Sequence, residues 1–258
     1  MHNPKHILIT GASSGIGAAL AVLYAAPGQR LSLHGRSAER LALVAGEARQ
    51  RGAVVAPHTG DVTDVDSMAA WIKSCDAHQP LDLVIANAGI SAGTGAGGET
   101  AEQSRQIFEV NVQGVLNTIM PVMPLLAQRR RGQVALMSSL AGFRGFAGAP
   151  SYCASKAAVR LYGEALRGEM DGQGVEVNVI CPGFIKTPMT DINPFPMPFL
   201  MDVDRAAVII RDGLAKNKAR IAFPWPMYVL VRLLAALPPF LGDALTACMP
   251  RKPGMNRS

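Results

Sequence analysis

The 258-residue sequence predicts a single α/β domain in which a doubly wound parallel sheet carries helices on both faces. Short apolar stretches alternate with longer helical ones as far as residue 180, which is the pattern of parallel strands joined by crossover helices. The apolar stretches are continuous rather than alternating, as expected for strands buried on both faces. The length and a hydrophobic content of 49% suit one large core spanning residues 1–258.

The predicted elements follow one another with short connections. Strands are predicted at residues 6–10, 30–34, 53–57, 81–86, 133–137 and 175–180, and helices at 18–26, 37–51, 65–78, 102–126, 151–170 and 203–217. The long helix at 102–126 contains Pro121 and Pro124, and we expect it to break near them because proline removes a helical hydrogen bond. A glycine-rich stretch at 93–98 predicts a flexible loop before that helix.

A glycine turn follows the first predicted strand and opens the first helix. The sequence TGASSGIG occupies residues 10–17. Strand, glycine turn and helix in this order form the dinucleotide-binding unit of a Rossmann-type sheet. Gly11 allows the tight turn, while Gly15 and Gly17 let the backbone and the helix start approach a pyrophosphate. The candidate cofactor contacts here are Gly11, Ser13, Ser14, Gly15, Ile16 and Gly17.

The end of the second strand indicates which dinucleotide is bound. In NAD-binding folds an acidic residue about 20 positions after the glycines holds the ribose hydroxyls. Gly35 and Arg36 occupy that region here, and no carboxylate precedes Glu39. A guanidinium can pair with a 2′-phosphate through two hydrogen bonds. The sequence therefore favours NADP(H) over NAD(H), the alternative being that Arg36 is only a surface residue at the start of the next helix.

Charge and cysteine content argue against several classes of protein. The net charge is +6, but the only tight basic run, residues 129–131, precedes Gly132 and is expected at a helix C-terminus that this glycine ends. No basic stripe is interleaved with aromatic residues, so nucleic-acid binding is not expected. The cysteines and histidines show no metal-ligand spacing, and isolated thiols fit a reducing, cytoplasmic compartment. We expect no signal peptide and no apolar run of the roughly 20 residues that span a membrane.

Polar residues and glycines follow the third to sixth predicted strands. Because the carboxyl ends of parallel strands meet at one edge of the sheet, we expect these residues to lie together beside the glycine turn. In chain order they are Asp61 and Val62, then Asn87, Ala88 and Gly89, then Ser139, and finally Pro182 and Gly183.

Tyr152 and Lys156 lie four positions apart on the helix predicted at 151–170, and therefore on one face. Free tyrosine has a pKa of about 10, and a fixed ammonium nearby lowers the pKa by favouring the phenolate. Such a pair can exchange a proton with a carbonyl or alcohol. On its own the spacing is common and fits an exposed tyrosine beside an exposed lysine, so the chemistry depends on a cofactor and a partner hydroxyl.

These motifs, in this order, resemble those of the short-chain dehydrogenase/reductase family, in its common single-domain, NADP(H)-preferring type. The resemblance covers roughly residues 5–187. It rests on the TGASSGIG turn, Asp61, Asn87-Ala88-Gly89, Asn111, Ser139, Tyr152-Cys153-Ala154-Ser155-Lys156, and Pro182-Gly183 with Thr187. It implies an oxidoreductase that interconverts a ketone or aldehyde and an alcohol by hydride transfer.

The resemblance also implies a role for each site residue. Tyr152 is the general acid/base, and Ser139, thirteen residues before it, holds the substrate oxygen in preference to Ser138. Lys156 binds the nicotinamide ribose and lowers the tyrosine pKa. Asn111 helps to hold a water in the proton relay. The implied cofactor contacts are Asp61 at the adenine, Asn87 near the adenine-side ribose, Thr187 near the nicotinamide, and Val62, Ala88, Gly89, Pro182, Gly183 and Ile185.

Residues 184–203 are predicted to form an apolar substrate lid. Prolines at 194, 196 and 198 argue for an irregular lid rather than a helix. An apolar ketone or alcohol, such as a lipid, acyl, steroid-like or isoprenoid compound, suits this composition. The alternative is that these side chains only form a loose lid or the core beneath it. Five of the eight phenylalanines are expected near the pocket: Phe143, Phe146, Phe184, Phe195 and Phe199.

The C-terminal stretch departs from the family pattern, which often ends in a short strand and a glycine-rich tail. Residues 221–258 instead form an apolar extension, in which the only charged residues between 221 and 249 are Arg232 and Asp243. Two apolar helical segments, at 227–237 and 240–248, precede basic residues at 251, 252 and 257. Three interpretations stay open: the extension completes the pocket and core, forms a dimer interface, or lies on a membrane surface.

The leading prediction is therefore an NADP(H)-dependent oxidoreductase acting on an apolar carbonyl or alcohol. We expect a cytoplasmic homo-oligomer, a dimer, with peripheral membrane contact through 221–258 as one alternative. A non-catalytic NADP-sensing protein or a membrane-associated lipid-binding protein on the same fold is the competing class. It predicts a damaged catalytic set, whereas Asn111, Ser139, Tyr152 and Lys156 are all present.

Overall fold

A computed structural model describes residues 3–91, 98–193 and 195–246. These residues form a parallel sheet whose strands are His6–Thr10 (β1), Arg30–Gly35 (β2), Val54–Thr59 (β3), Leu83–Ala86 (β4), Gly132–Met137 (β5), Val175–Pro182 (β6) and Arg220–Phe223 (β7). The strand order is β3-β2-β1-β4-β5-β6-β7. The predicted Rossmann-type α/β fold class is confirmed.

Helices cover both faces of this sheet. They are Gly15–Tyr24 (α1), Ala38–Gln50 (α2), Val65–His78 (α3), Ala101–Phe108 (α4), Gly114–Ile119 (α5), Met123–Arg129 (α6), Pro150–Glu169 (α7), Pro188–Asp191 (α8), Val203–Ala215 (α9), Trp225–Ala236 (α10) and Pro239–Thr246 (α11). Ile7 and Ile9 of β1 join the core beneath α1, α2 and α9, whereas Leu8 joins the core beneath α3 and α5 to α7. Burial on both faces explains why the strands are continuous apolar runs.

The winding of the chain changes direction beside β1. This strand pairs in parallel with β2 on one side and with β4 on the other. The carboxyl ends of β1 and β4 therefore border the crevice in which ligands bind in such sheets. The glycine turn and residues 87–89 follow these two strands and meet at this crevice.

The long helix predicted at 102–126 is divided into pieces. A π-helical turn, Glu109–Gln113, separates α4 from α5, and a short turn at Pro121 separates α5 from α6. Pro124 instead lies in the first turn of α6, where proline is tolerated. By length and composition the stretch 101–129 could cross a membrane, so the expectation of no such stretch is wrong there. However, 56% of its most apolar window is buried inside the protein, as in a core helix.

The basic run at 129–131 takes a different form from the one predicted. Arg130, not Gly132, adopts the left-handed conformation that ends α6, with φ of 49°, and Gly132 begins β5. Arg129 is fixed by Asp76, whose carboxylate accepts hydrogen bonds of 2.6 and 2.9 Å from the guanidinium. One residue of the basic run, Arg129, therefore forms a structural ion pair that joins α6 to α3.

The expectation that the chain lacks the family's terminal strand is wrong. Arg220–Phe223 forms β7, which pairs in parallel with β6 from Val179 to Pro182. Ile221 and Phe223 are buried, whereas Arg220 and Ala222 are half-buried. A strand this short, at the edge of a sheet and next to a proline, has too few residues to show a strand period in the sequence.

The C-terminal extension continues from β7 into α10 and α11. Val231 of α10 packs against Leu140, Val179 and Cys181. Residues 247–258, with the end of the predicted segment 240–248 and the three basic positions, lie outside the described residues. The predicted loop at 93–98 lies outside them except for Gly98, as does Pro194 of the lid.

Candidate active site

The glycine turn is packed too tightly for side chains. Gly11 has φ of +67°, and a Cβ there would lie 2.8 Å from the Cα of Ala88. A Cβ at Gly17 would collide with the Gly11 carbonyl and with the Asn87 amide. Gly15 faces Thr187, since a Cβ there would lie 3.1 Å from its Cγ2. The turn thus forms a bare backbone surface between residues 87–88 and the segment after β6.

Asn87 joins β4 to the glycine turn. Its amide nitrogen donates to the carbonyls of Thr10 and Gly11 at 3.0 and 3.3 Å, and its backbone N–H donates to the Thr10 hydroxyl at 3.1 Å. Because both amide donors are used by the backbone, Asn87 acts first as a support for the turn. Any contact to a cofactor would come from its carbonyl oxygen or from the neighbouring backbone.

Asn111 lies in the π-helical turn and is fully buried. Its Oδ1 accepts from the Ile90 N–H at 2.7 Å, and its Nδ2 donates to the Ile90 carbonyl at 2.9 Å and to the Ser155 hydroxyl at 3.1 Å. Ser155 Oγ in turn donates to the Tyr152 carbonyl at 2.8 Å. Asn111 therefore connects the loop after β4 to the helix that carries Tyr152.

Ser139, Tyr152 and Lys156 meet at the ends of β5 and α7. The Ser139 hydroxyl caps a 3₁₀ turn by accepting from the Ala141 N–H at 3.1 Å, and it shares a hydrogen bond with the Tyr152 side chain. Lys156 Nζ donates to the Met137 carbonyl at 2.9 Å and lies 5.9 Å from the centre of the Tyr152 ring. The structure thus brings Ser139, at the end of β5, to the face of α7 that carries Tyr152 and Lys156.

Burial, rather than charge, dominates the ionisation of this group. Burial raises the pKa of Tyr152, and the hydrogen bond from Ser139 offsets only part of that rise. Burial also lowers the pKa of Lys156 to about 8. The expected lowering of the Tyr152 pKa by Lys156 is therefore wrong for this arrangement, in which the ammonium is directed to the Met137 carbonyl. Tyr152 holds its proton at neutral pH.

Arginine and histidine side chains line the other end of the site. Arg36 and Arg40 are exposed, and both border the same cavity as the glycine turn. Burial alone would raise the pKa of Asp61, but hydrogen bonds from Thr63 and the charge of Arg36 lower it overall. His34 is buried here, and neither of its ring nitrogens has a hydrogen-bond partner among the described residues.

One cavity of about 570 Å³ connects all these groups. It runs from Arg36 and Asp61, past the glycine turn, to Ser139, Tyr152 and Lys156. Of the predicted site residues, Gly17 and Asn111 do not border it: Gly17 packs behind the turn, and Asn111 lies beneath Ile90 and Ser155. The others that border it are Gly11, Ser13, Ser14, Gly15, Ile16, Val62, Asn87, Ala88, Gly89, Pro182, Gly183, Ile185 and Thr187.

The apolar end of the cavity is built from the lid and from α10. Phe146, Phe184, Phe195 and Phe199 border it, in agreement with the predicted clustering. Phe143 does not; it lies between the guanidinium groups of Arg160 and Arg220, 4.6 and 5.2 Å from its ring centre. Two flanking arginines hold it in the wall behind the cavity. The lid is irregular apart from α8.

Sequence reasoning alone left the contribution of α10 undecided. Met227, Leu230, Val231 and Leu234 of α10 all border the cavity, so the extension does complete the pocket. These residues recur at helical spacing, which predicts an apolar face but not the partner of that face. Arg40 was also not predicted, although it lies in the first turn of the helix that follows Arg36 and is a second arginine close to it in the sequence.

The fold and the site define a dinucleotide-binding α/β protein with a serine, a tyrosine and a lysine at the end of the cofactor crevice. The family model for short chain dehydrogenase matches residues 5–194. The chain therefore belongs to the short-chain dehydrogenase/reductase family, and it is an oxidoreductase of that type. The family's nicotinamide cofactor fits the bare glycine turn.

Relatives and solved structures agree with this assignment. The chain is 42% identical to an uncharacterized oxidoreductase from Myxococcus xanthus, over 92% of this chain and 94% of the relative. It is 34% identical to a 3-oxoacyl-acyl-carrier-protein reductase from Thermotoga maritima, over 74% of this chain and 78% of the relative. A short chain dehydrogenase from Mycobacterium paratuberculosis bound to NAD superposes with a TM-score of 0.75 and 25% identity, over 84% of this chain and 94% of that one.

Proposed function

We propose that this protein is an NADP(H)-dependent reductase of apolar ketones, with Tyr152 as its general acid. The continuous cavity carries the proposal, because it has basic groups at one end, a bare glycine turn in the middle and an apolar chamber beside Tyr152. This order matches the chemistry of a phosphorylated dinucleotide followed by an apolar substrate.

The adenosine end of the cavity favours NADP(H). Arg36 and Arg40 border it, whereas the position that holds the ribose hydroxyls in NAD-binding folds has no carboxylate. Two guanidinium groups can pair with a 2′-phosphate through charge-assisted hydrogen bonds. Asp61 also lies near Arg36, but its carboxylate already accepts two hydrogen bonds of 2.9 Å from Thr63. The arginine pair therefore determines the preference.

The catalytic residues have the protonation states that reduction requires. A nicotinamide cofactor held by the glycine turn and Lys156 would supply the hydride for reduction of a carbonyl. Tyr152, whose pKa is raised by burial, retains its proton at neutral pH and donates it to the substrate oxygen. Ser139 donates a hydrogen bond to the same oxygen as negative charge develops there. Its present bond to the Pro182 carbonyl, at 3.4 Å, is long enough to be given up at little cost.

Lys156 and Asn111 hold this arrangement in place. Lys156 is the residue that would bind the nicotinamide ribose, and it stands against Gly89, where a Cβ would lie 3.1 Å from its Nζ. A Cβ at Gly89 would also lie 3.1 Å from Asn111 Oδ1, so Gly89 leaves room for both side chains. The proton that Tyr152 donates would then be replaced from solvent, which reaches Tyr152 and Lys156 through the cavity that both residues border.

The chamber beside Tyr152 favours an apolar substrate. Phenylalanines of the lid and aliphatic side chains of α10 form its walls. The name of the Thermotoga relative specifies a 3-oxoacyl substrate, which combines a ketone with an acyl chain. We therefore propose a ketone on an acyl-like or other extended apolar skeleton.

A panel of carbonyl compounds, incubated with NADPH and followed by loss of the reduced cofactor, tests this function. We expect turnover of apolar ketones and much slower turnover of small polar ones. Tyr152→Phe should retain NADPH binding and lose turnover by at least about a hundredfold, since general acid catalysis contributes roughly that much. Substantial turnover by this variant would refute the role of Tyr152, and no turnover of any carbonyl by the wild type would favour a non-catalytic NADP-binding protein.

A further inference from the structure

The outer surface of the C-terminal extension is apolar and uncovered. Trp225, Val229 and Leu233, spaced four residues apart, lie on one face of α10, and their exposed fractions are 73%, 45% and 64%. On α11, Phe240, Leu241 and Leu245 are 71%, 44% and 59% exposed. We call these six residues the apolar ridge. Soluble monomers seldom expose contiguous apolar surface on this scale without a binding role.

The two helices of the ridge are held together as one surface. Arg144, from the loop after Ser139, donates to the Leu234 carbonyl at 3.4 Å and to the Asp243 carboxylate at 2.8 Å. Its guanidinium also packs so closely against Gly242 that a Cβ at this position would collide with it. Arg144 thus fixes α11 beside α10, and it neutralises the only carboxylate of the extension.

The ridge stands next to an opening of the cavity. Leu230 and Phe199 both border the cavity, yet they are 51% and 55% exposed. Residues that border the cavity and are also exposed to solvent lie at an opening of the cavity, which we call the mouth. The opposite face of the same helix, with Val231 and Leu234, is buried in the cavity wall. One face of α10 therefore lines the chamber while the other faces outward beside its entrance.

The sequence of the extension is basic. Arg232 is exposed on α10, and the sequence that follows α11 contains Arg251, Lys252 and Arg257 but no acidic residue. Because Asp243 is paired with Arg144, the extension has an excess of positive charge. Apolar side chains on a short helix, flanked by basic residues, are the combination that binds an anionic lipid surface.

We propose that the apolar ridge docks on the surface of an anionic lipid bilayer, with α10 and α11 lying in the interface and the mouth at Leu230 and Phe199 directed toward the lipid. A second copy of the chain on the ridge would cover this mouth and bring two basic extensions together, so the lipid surface is the better occupant. Delivery of an apolar substrate through the mouth rests on the proposed function, but lipid docking does not.

Flotation of the full chain with vesicles tests the docking without any substrate. The wild type should float with vesicles that contain about one quarter phosphatidylglycerol in phosphatidylcholine, and less with pure phosphatidylcholine. Leu233→Glu and Phe240→Glu should each lower the partition coefficient by roughly tenfold or more, because each removes apolar contact and adds repulsion. The matched control is Leu43→Glu, which places the same charge at a 70% exposed leucine on α2.

Circular dichroism and light scattering complete the experiment. All three variants alter exposed side chains, so we expect native spectra, and turnover of a water-soluble ketone should be unaffected. Failure of the wild type to float would overturn the docking, as would equal loss with Leu43→Glu. Dimers that the ridge variants dissociate, without flotation of the wild type, would assign the ridge to a second copy. Flotation without turnover of any ketone would refute only the proposed function.

Discussion

Burial sets the chemistry of individual side chains in this site. Tyr152 and Lys156 both lose water, which raises the pKa of the phenol and lowers the pKa of the ammonium to about 8. At neutral pH the phenol is therefore a proton donor, as reduction requires, and oxidation of an alcohol should need a more alkaline solution. Ser139 is the neighbour whose hydrogen bond acts in the opposite direction.

The two adjacent serines after β5 should differ in their effect on turnover. Ser139→Ala removes the hydroxyl that contacts Tyr152, and kcat should fall by about a hundredfold to a thousandfold. The Ser138 hydroxyl instead donates to the backbone carbonyl of Lys156 at 2.7 Å and so supports α7. Ser138→Ala should mainly lower the free energy of unfolding, by about 1 kcal/mol. Steady-state kinetics and urea unfolding of both variants distinguish these roles; a larger loss of kcat in Ser138→Ala would reverse the assignment.

His34 should make the protein less stable in acid. Burial lowers its pKa from 6.5 to about 4. As the pH falls, the unfolded chain therefore takes up this proton first, and stability that is complete above pH 6.5 is lost toward pH 4. His34→Leu should remove this dependence, worth about 3 kcal/mol across the window. Urea unfolding across that range measures it, and parallel curves for wild type and variant would contradict the prediction.

At the scale of elements, the half-buried Arg220 couples the C-terminal extension to β7 and α7. Arg220 of β7 is paired with Glu164 of α7 and donates to the Tyr228 hydroxyl of α10 at 2.9 Å. Its guanidinium also stacks on Phe143, just after the turn that Ser139 caps. The position of α10 over the cavity thus depends on contacts to α7 and β7.

Arg220→Met should weaken this coupling. We expect the free energy of unfolding to fall by about 2 kcal/mol, because Glu164 and Tyr228 lose a charged, half-buried hydrogen-bond partner. The KM for an apolar ketone should rise, since Met227 and Leu230 line the cavity from α10. The control is Arg211→Met, whose pair with Asp212 is exposed and should be worth less than about 0.5 kcal/mol. Equal effects of the two substitutions would contradict the coupling.

At the scale of the whole molecule, the cavity joins segments that are distant in the chain. The glycine turn, the loops after β2 to β6, the lid and α10 all contribute to one wall. A cofactor bound there contacts several of these segments at once and binds only the folded state. The stability of the protein should therefore depend on cofactor concentration.

NADPH should raise the melting temperature more than NADH does at the same concentration. At about 100 times its dissociation constant, a ligand adds about 2.7 kcal/mol, which for a domain of this size corresponds to several degrees. Arg36→Asp should reverse the order of the two cofactors, because it removes the phosphate partner and supplies a ribose partner. Thermal shift measurements decide this, and an unchanged preference for NADPH in Arg36→Asp would refute the role of Arg36.

Local sequence was sufficient for the sheet and its first six strands, and it located residues that the structure gathers around one cavity. Short continuous apolar runs bounded by turn residues are typical of strands buried on both faces, and the glycine turn and the Tyr152–Lys156 spacing are each defined over a few residues. The sequence also indicated that residues 221–258 were unusual, since apolar side chains recur there with few charges.

The tertiary structure decided what those local signals could not. The period of α10 predicts an apolar face, but packing against Leu140 and Val179 determines that Val231 turns inward while Leu233 stays exposed. The raised pKa of Tyr152 likewise follows from burial by segments that are distant in the chain. Burial and electrostatics sum over neighbours in space, so neither quantity is contained in the spacing of residues along the chain.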